Sequence, residues 1–126
     1  MPGAGVYEID SLESDGRELT VTPETQKTGW KINKSSVTVD DTSILHKHLT
    51  NPPVDRIDLR TPLETKITAS NPKGVTIKNA LDAIYKAYKD TSDEDLDEPY
   101  LAGFEWDNQE SWTELIVHLR STPASN

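Results

Sequence analysis

The chain has 126 residues, a net charge of −9 and no cysteine. Its length is that of one domain, and the absence of cysteine excludes disulfides, thiolate zinc ligands and thiol nucleophiles. Only 33% of the residues are hydrophobic, which is a low share for a globular chain. We therefore expect a single domain over residues 1–126 with a thin core.

The charge is distributed unevenly along the chain. Residues 1–26 hold six acidic residues and one basic residue, residues 27–89 hold eleven basic and six acidic, and residues 90–126 hold ten acidic and one basic. The overall acidity, with no aromatic residues interleaved among the basic ones, argues against a nucleic-acid partner. The charges either form a solvated surface or pair acidic with basic segments, within one chain or between two.

Short strands are the main prediction for the first half of the chain. Leu19 and Val21 share one face of an alternating run, and Pro23 ends that run. Four alternating or β-branched runs predict strands at 6–9, 17–22, 29–33 and 36–39. The run from Thr42 to Leu49 predicts a short helix or turn that is capped by Asp41 or Thr42.

Clearer patterns follow the Asn51-Pro52-Pro53 break. Alternation predicts strands over 54–59 and 63–69, joined by a tight connection or formed by one bent strand. An apolar stripe at helical spacing then predicts an amphipathic helix over 76–89 with Thr76 as its N-cap. Within that helix, Asp82 is four residues from Lys86 and can pair with it.

The last third begins with the acidic run Asp93 to Glu98, which predicts an exposed loop. The β-branched pair Ile116-Val117 favours a strand over 112–120, with a short helix as the alternative. We expect mobility in the N-terminal residues, in the acidic loop 90–99 and in the C-terminal tail 121–126. The fold class is α+β: a small, mainly antiparallel sheet with the 76–89 helix packed on it.

Several structural motifs follow one another in a characteristic order along the chain. They are Trp30-Lys31-Ile32, Leu49 with Pro52-Pro53, Ile57-Asp58-Leu59, Gly74-Val75-Thr76-Ile77, Ala80-Leu81, Ile84-Tyr85, Gly103 and Trp112 to Leu115. In this order they resemble a family of unknown function that is common in fungi, above all in mushroom-forming fungi. The resemblance covers about residues 28–120, and it implies a cytosolic fungal domain of mixed α and β structure with no assigned activity.

Cellular location and cofactors are suggested only by what the sequence lacks. Residues 1–5 lack the charged and apolar regions of a secretory signal, and no run approaches the ~18 apolar residues of a membrane span. We therefore expect a cytoplasmic protein without a membrane partner. No phosphate loop, nucleophile elbow or His-Glu-x-x-His helix is present, so we expect no cofactor and no catalytic residue.

Histidines and acidic residues offer two candidate metal sites. His46 and His48 have the spacing of two ligands on one strand face, although ordinary surface histidines are the simpler interpretation. Asp93, Asp95 and Asp97 imitate the first ligands of a calcium loop. The glycine and the closing glutamate of such a loop are missing, so we predict a metal-free segment.

The acidic run and the tryptophans are also candidate contact residues for other proteins. Ser92, which precedes the acidic run, fits a site for an acid-directed kinase. Trp30 is predicted to lie in the core, whereas Trp106, in a polar setting, is predicted to be an exposed anchor. The candidate interaction residues are Trp106, Trp112, Asp93, Asp95 and Asp97.

These patterns favour a non-enzymatic protein-interaction module that self-associates, as a homodimer, through a sheet edge. A thin core and short strands leave edges that another chain can cover. A small-molecule or glycan-binding domain that uses Trp106 is the alternative. An uncharacterised hydrolase is the third hypothesis, because 22 acidic residues always offer carboxylate pairs.

Overall fold

A computed structural model describes most of the chain. The described residues are 6–11, 16, 18–26, 28–39, 41–62, 66–107, 109 and 113–122. The regular elements are β1 (Thr20–Val21), β2 (Thr50–Asn51), β3 (Arg56–Arg60), β4 (Lys66–Ser70), helix α1 (Ile77–Tyr88), β5 (Tyr100–Glu105) and β6 (Glu114–Arg120). The α+β class is confirmed: one helix accompanies two small, mostly antiparallel sheets.

The main sheet has four strands in the order β4-β3-β6-β5. The central pair, β3 and β6, is parallel, and both outer pairs are antiparallel. β1 and β2 form a separate antiparallel pair. Because β3 and β6 are parallel, β4 and β5 also run parallel to each other, and α1 lies in the connection between them.

One face of the main sheet carries the core. Along β3 and β4, Ile57, Leu59, Ile67 and Ala69 are buried and alternate with polar residues on the opposite face. This is the period of two that the sequence predicts for a sheet that buries one face. Trp30, predicted to be a core residue, has no exposed surface, so that prediction is confirmed.

Helix α1 closes this core above β4. Thr76 is the N-cap in a capping box: Asn79 N–H donates to Thr76 Oγ1, and Thr76 N–H donates to Asn79 Oδ1. Such a box satisfies two backbone donors at the start of a helix, so the predicted start at Thr76 is confirmed. The ion pair is a different one from that expected, because Asp82 pairs with Lys78 at 2.6 Å.

The predicted strand at 36–39 is wrong, since Ser36–Thr38 is a turn of 3-10 helix. Trp30 Nε1 donates to the carbonyl oxygens of Lys34 and Ser35, at 2.9 and 3.1 Å. This bond holds the chain in a tight loop, and Ser35 then caps the turn. Hydrogen bonds to a buried indole four and five residues upstream therefore override the strand preference of the β-branched residues.

Other predicted strands in the first half are shorter than expected. The 17–22 run contributes only β1, and the 29–33 run contributes one bridge, between Lys31 and Tyr100. The 6–9 run likewise contributes one bridge, between Tyr7 and Val54. The predicted cap of the 42–49 segment is confirmed at Asp41, which precedes a 3-10 turn over Thr42–Ile44.

Strand β5 is absent from the sequence predictions. Its pairing with β6 shifts register between Leu101 and Gly103, so the apolar positions do not alternate along it. A bulge of this kind hides a strand from a period-two test. On β6, the predicted strand is confirmed over Glu114–Arg120 and the helical alternative is wrong.

The helices of the described residues are too short or too polar to cross a membrane.

Candidate interaction edge

The outer edge of β4 is the open edge of the main sheet. Asp58 N–H donates to the Thr113 carbonyl oxygen, so the Asp58 backbone faces β6 rather than β4. Asp58 is the register partner of Thr68, and hydrogen-bonded pairs alternate with non-bonded pairs in an antiparallel ladder. The backbone N–H and C=O groups of Lys66, Thr68 and Ser70 therefore point away from β3. We call these three residues the β4 edge.

The end of the β3–β4 ladder shows the same alternation of hydrogen-bonded and non-bonded residue pairs. Asn71 N–H donates to the Asp55 carbonyl oxygen at 2.8 Å, as expected for a bonded pair two steps beyond Ile57 and Ala69. Within the described residues, no backbone group is bonded to the outer side of β4. The β4 edge is thus a row of three donors and three acceptors.

The opposite edge of the sheet, on β5, is covered at its start. Leu101 N–H donates to the Trp30 carbonyl oxygen, and Ile32 N–H donates to the Pro99 carbonyl oxygen, both at 2.9 Å. Gly103 is covered as well, since a Cβ there would lie 2.9 Å from Gln26 Cγ. The two edges of the sheet therefore differ: loops protect β5, and no described segment protects β4.

Side chains of the β4 edge lie on the solvent face of the sheet. Lys66 Nζ is 3.4 Å from Glu114 Oε2, and the Lys66 side chain is 61% exposed. Thr68 Oγ1 donates to Asp58 Oδ1 at 2.7 Å. A lysine on a short edge strand is a common protection against uncontrolled aggregation, and Lys66 occupies that position here.

The turn after β4 holds the helix over the edge strand. Asn71 Nδ2 donates to Asn79 Oδ1 at 3.0 Å. The chain then passes through Gly74, whose φ of +103° and close contact with His48 leave no room for a side chain. At the far end, Tyr88 and Thr61 share a hydroxyl contact of 2.9 Å. Helix α1 is thus joined at its start to the turn after β4 and at its end to the residue that follows β3.

Of the candidate tryptophans, the structure describes Trp106 alone, and it does not lie at this edge. Trp106 follows β5, is half-buried and packs against the core cluster. Trp112 lies outside the described residues, as do residues 1–5 and 123–126 of the expected mobile ends. The interaction role of both tryptophans stays a prediction.

The acidic segment forms a surface turn rather than an extended loop. Asp93–Asp95 is a turn of 3-10 helix, Ser92 Oγ donates to Asp95 Oδ2 at 3.0 Å, and Asp97 is exposed. Leu96 is buried and anchors the segment to the core. Among the described residues, no three histidine or carboxylate side chains are grouped to hold a metal ion.

The histidines have separate surroundings. His46 and His48 are both exposed, and His48 Nε2 lies 3.3 Å from the Lys73 carbonyl oxygen. His118 is on β6, where its Nε2 lies 2.8 Å from Glu105 Oε1. The segment around His46 and His48 consists of turns and one bridge from His48 to Thr76, in agreement with the short helix or turn predicted for 42–49, so the strand that a two-histidine site would need does not form there.

Asp41 has a shifted pKa. Hydrogen bonds from the Ser43 hydroxyl and the Ser43 backbone N–H lower the pKa of its carboxyl group, and Lys47 adds a smaller effect. Both bonds stabilise the carboxylate form. The carboxylate is fully exposed at the start of a 3-10 turn, so the shift reflects capping.

The residues of the β4 edge were not recognised as functional from the sequence. Their alternation with Ile67 and Ala69 predicts a strand with one buried face. Alternation has the same form in central and edge strands, however, so it carries no signal for an open edge. Only the strand order of the sheet supplies that information.

Comparison with known protein families gives one match. The model of DUF6699, described as a family of unknown function, matches residues 17–120. The chain belongs to the DUF6699 family. The DUF6699 region includes the six strands, helix α1 and the β4 edge, and it begins before the 28–120 region of the expected resemblance. Neither the curated proteins nor the solved structures that were compared contain a match for the chain.

Proposed function

We propose that this DUF6699 chain is a non-enzymatic protein-interaction module that adds an extended strand of a partner to the β4 edge. The observation that supports the proposal is the row of outward backbone groups at Lys66, Thr68 and Ser70, which have no partner among the described residues. Strand addition satisfies such groups with main-chain hydrogen bonds, and neighbouring side chains set the specificity.

A second copy of the chain can supply that strand and form a homodimer. Antiparallel pairing about a two-fold axis at Thr68 places Lys66 opposite Ser70 of the other copy, so the two lysines avoid each other. Three hydrogen-bonded residue pairs then join the copies. Salt should strengthen this dimer, because it screens the repulsion between two copies of the same basic segment.

Sedimentation at micromolar concentration tests self-association. If a second copy occupies the edge, the mass is about twice 14.1 kDa, the dimer is favoured by salt, and it is lost in Thr68→Pro. Proline removes the outward N–H but leaves the β3–β4 bonds of Ile67 and Ala69 intact. Thr68→Val is the matched control, because it removes the hydroxyl and keeps the N–H.

Two results would contradict self-association through the β4 edge. A mass of 14.1 kDa at every concentration and salt would exclude the dimer. A dimer that persists in Thr68→Pro would place the contact elsewhere on the chain. In either case, strand addition from another protein is tested separately by the peptide titration below.

A fungal and cytoplasmic setting is part of the same proposal. It is supported by the resemblance in the sequence motifs and by the absence of cysteine. Microscopy of the full chain fused to a fluorescent protein tests the location. A secreted or membrane-bound signal would contradict it.

A further inference from the structure

The unit that carries the β4 edge is basic in an acidic protein. Residues 56–89, which form β3, β4 and α1, contain seven basic and three acidic residues. The rest of the chain contains six basic and nineteen acidic residues. A second copy would bring another basic unit to the edge, whereas an acidic strand would meet opposite charge.

Close to the β4 edge, the described solvent face carries three basic residues, Arg56, Arg60 and Lys66, and two acidic residues, Asp58 and Glu114, so the basic residues are in excess. Arg60 on β3 is the register partner of Lys66, and Arg56 is the register partner of Ser70. An added strand would place its solvent-face side chains about 5 Å from those of the β4 edge. Carboxylates at these positions would lie beside Lys66, whose Nζ lies 3.4 Å from Glu114 Oε2.

The core face of the added strand would be apolar and small. It would continue the row of Ile67 and Ala69, which are buried under α1. The connection from β4 through α1 to the parallel strand β5 is of the type that is nearly always right-handed. A right-handed connection turns the side of α1 that carries Ala83 and Ala87 toward the outer edge of β4 and the opposite side of α1 toward β5. Ala83 is half-buried and Ala87 is exposed, in agreement with this placement.

We infer that the occupant of the β4 edge is an extended acidic segment of another protein, with carboxylates alternating with small or β-branched apolar residues. The carboxylates face Lys66 and its arginine neighbours, and the apolar residues continue the core face beside Ala83 and Ala87. This inference rests on the proposed function, since it names the partner of the same edge.

Titration of the full chain with short peptides tests this inference. The probe is a seven-residue peptide of alternating glutamate and valine with blocked ends, and the comparison peptide has lysine in place of glutamate. We expect the glutamate peptide to bind at least about fivefold more tightly at low salt, from one or more cross-strand charge pairs. The difference in affinity between the two peptides should decrease in 0.5 M salt, because salt screens the charge pairs. Amide exchange at Lys66, Thr68 and Ser70 should slow when the peptide binds.

Variants of the chain and a modified peptide distinguish the contribution of charge to peptide binding from the contribution of main-chain hydrogen bonds. Lys66→Glu should remove the preference for the glutamate peptide, whereas Lys34→Glu makes the same charge change at an exposed site outside the unit and should preserve it. Thr68→Pro should abolish binding. A glutamate peptide that is N-methylated on the bonding side should also fail to bind, and this control does not depend on the folding of a variant.

The failure of this inference is distinguishable from failure of the proposed function. Equal affinity for the glutamate and lysine peptides, with slowed exchange at the β4 edge, would refute the acidic partner and retain strand addition. A dimer that neither peptide displaces would identify a second copy as the occupant. Absence of binding by every peptide, together with a monomeric chain, would refute both proposals.

Discussion

Gly74 offers the sharpest test of how the turn after β4 is built. Its φ is +103°, and an alanine Cβ there would lie 2.8 Å from Cδ2 and Nε2 of His48 and 3.0 Å from Cβ of Pro53. Gly74→Ala therefore adds backbone strain and a steric clash at one position. Gly16 is a matched control, because its φ is +62° and a Cβ there would meet nothing within 4 Å.

Backbone strain and the steric clash both lower the stability of Gly74→Ala. Backbone strain costs about 1–3 kcal/mol and overpacking about 1–3 kcal/mol, so we expect Gly74→Ala to lower the free energy of unfolding by about 2–6 kcal/mol. Gly16→Ala should cost about 1 kcal/mol, the penalty of the left-handed region alone. Adding His48→Ala to Gly74→Ala removes the imidazole and should recover part of the packing cost.

Urea denaturation followed by tryptophan fluorescence measures these differences, since Trp30 is fully buried and reports the core. An unchanged m-value would show that the comparison concerns stability alone. The reasoning would be refuted if Gly74→Ala and Gly16→Ala agreed within about 0.5 kcal/mol. It would also be refuted if His48→Ala gave no recovery.

Three other predictions concern the helix, the Asp41 cap and the acidic turn. Leu81→Ala should cost about 2–5 kcal/mol in chemical denaturation, since Leu81 is fully buried; a loss below about 0.5 kcal/mol would show a solvent-exposed face. Ser43→Ala should raise the pKa of Asp41 in an NMR titration, and the stability that the lowered pKa provides should disappear as pH falls through the folded-state pKa. Calorimetry should detect no submillimolar calcium binding; binding that disappears in Asp93→Asn and Asp95→Asn would contradict this.

Sequence patterns predicted those elements whose determining residues all lie within the element itself. The helix over 76–89 was predicted within one residue at each end, since its stripe and Thr76 cap depend only on neighbours in the chain. The buried alternation of β3 was predicted for the same reason. The strand predicted at 36–39 is wrong because the Trp30 side chain bonds Lys34 and Ser35 and holds them in a loop, and the pattern of residues within 36–39 carries no information on those bonds.

By itself, the sequence determined the α+β class, the main helix and the face that each of β3 and β4 buries, because side-chain period and capping are local properties. Tertiary structure alone decided the strand order and, with it, that no described segment pairs with the outer side of β4 while the loop around Trp30 and Ile32 covers β5. Edge status depends on which strands become neighbours, and that pairing joins residues far apart in the chain, such as Asp58 with Glu114. The residue pattern within one strand does not indicate which strands lie beside it in the sheet.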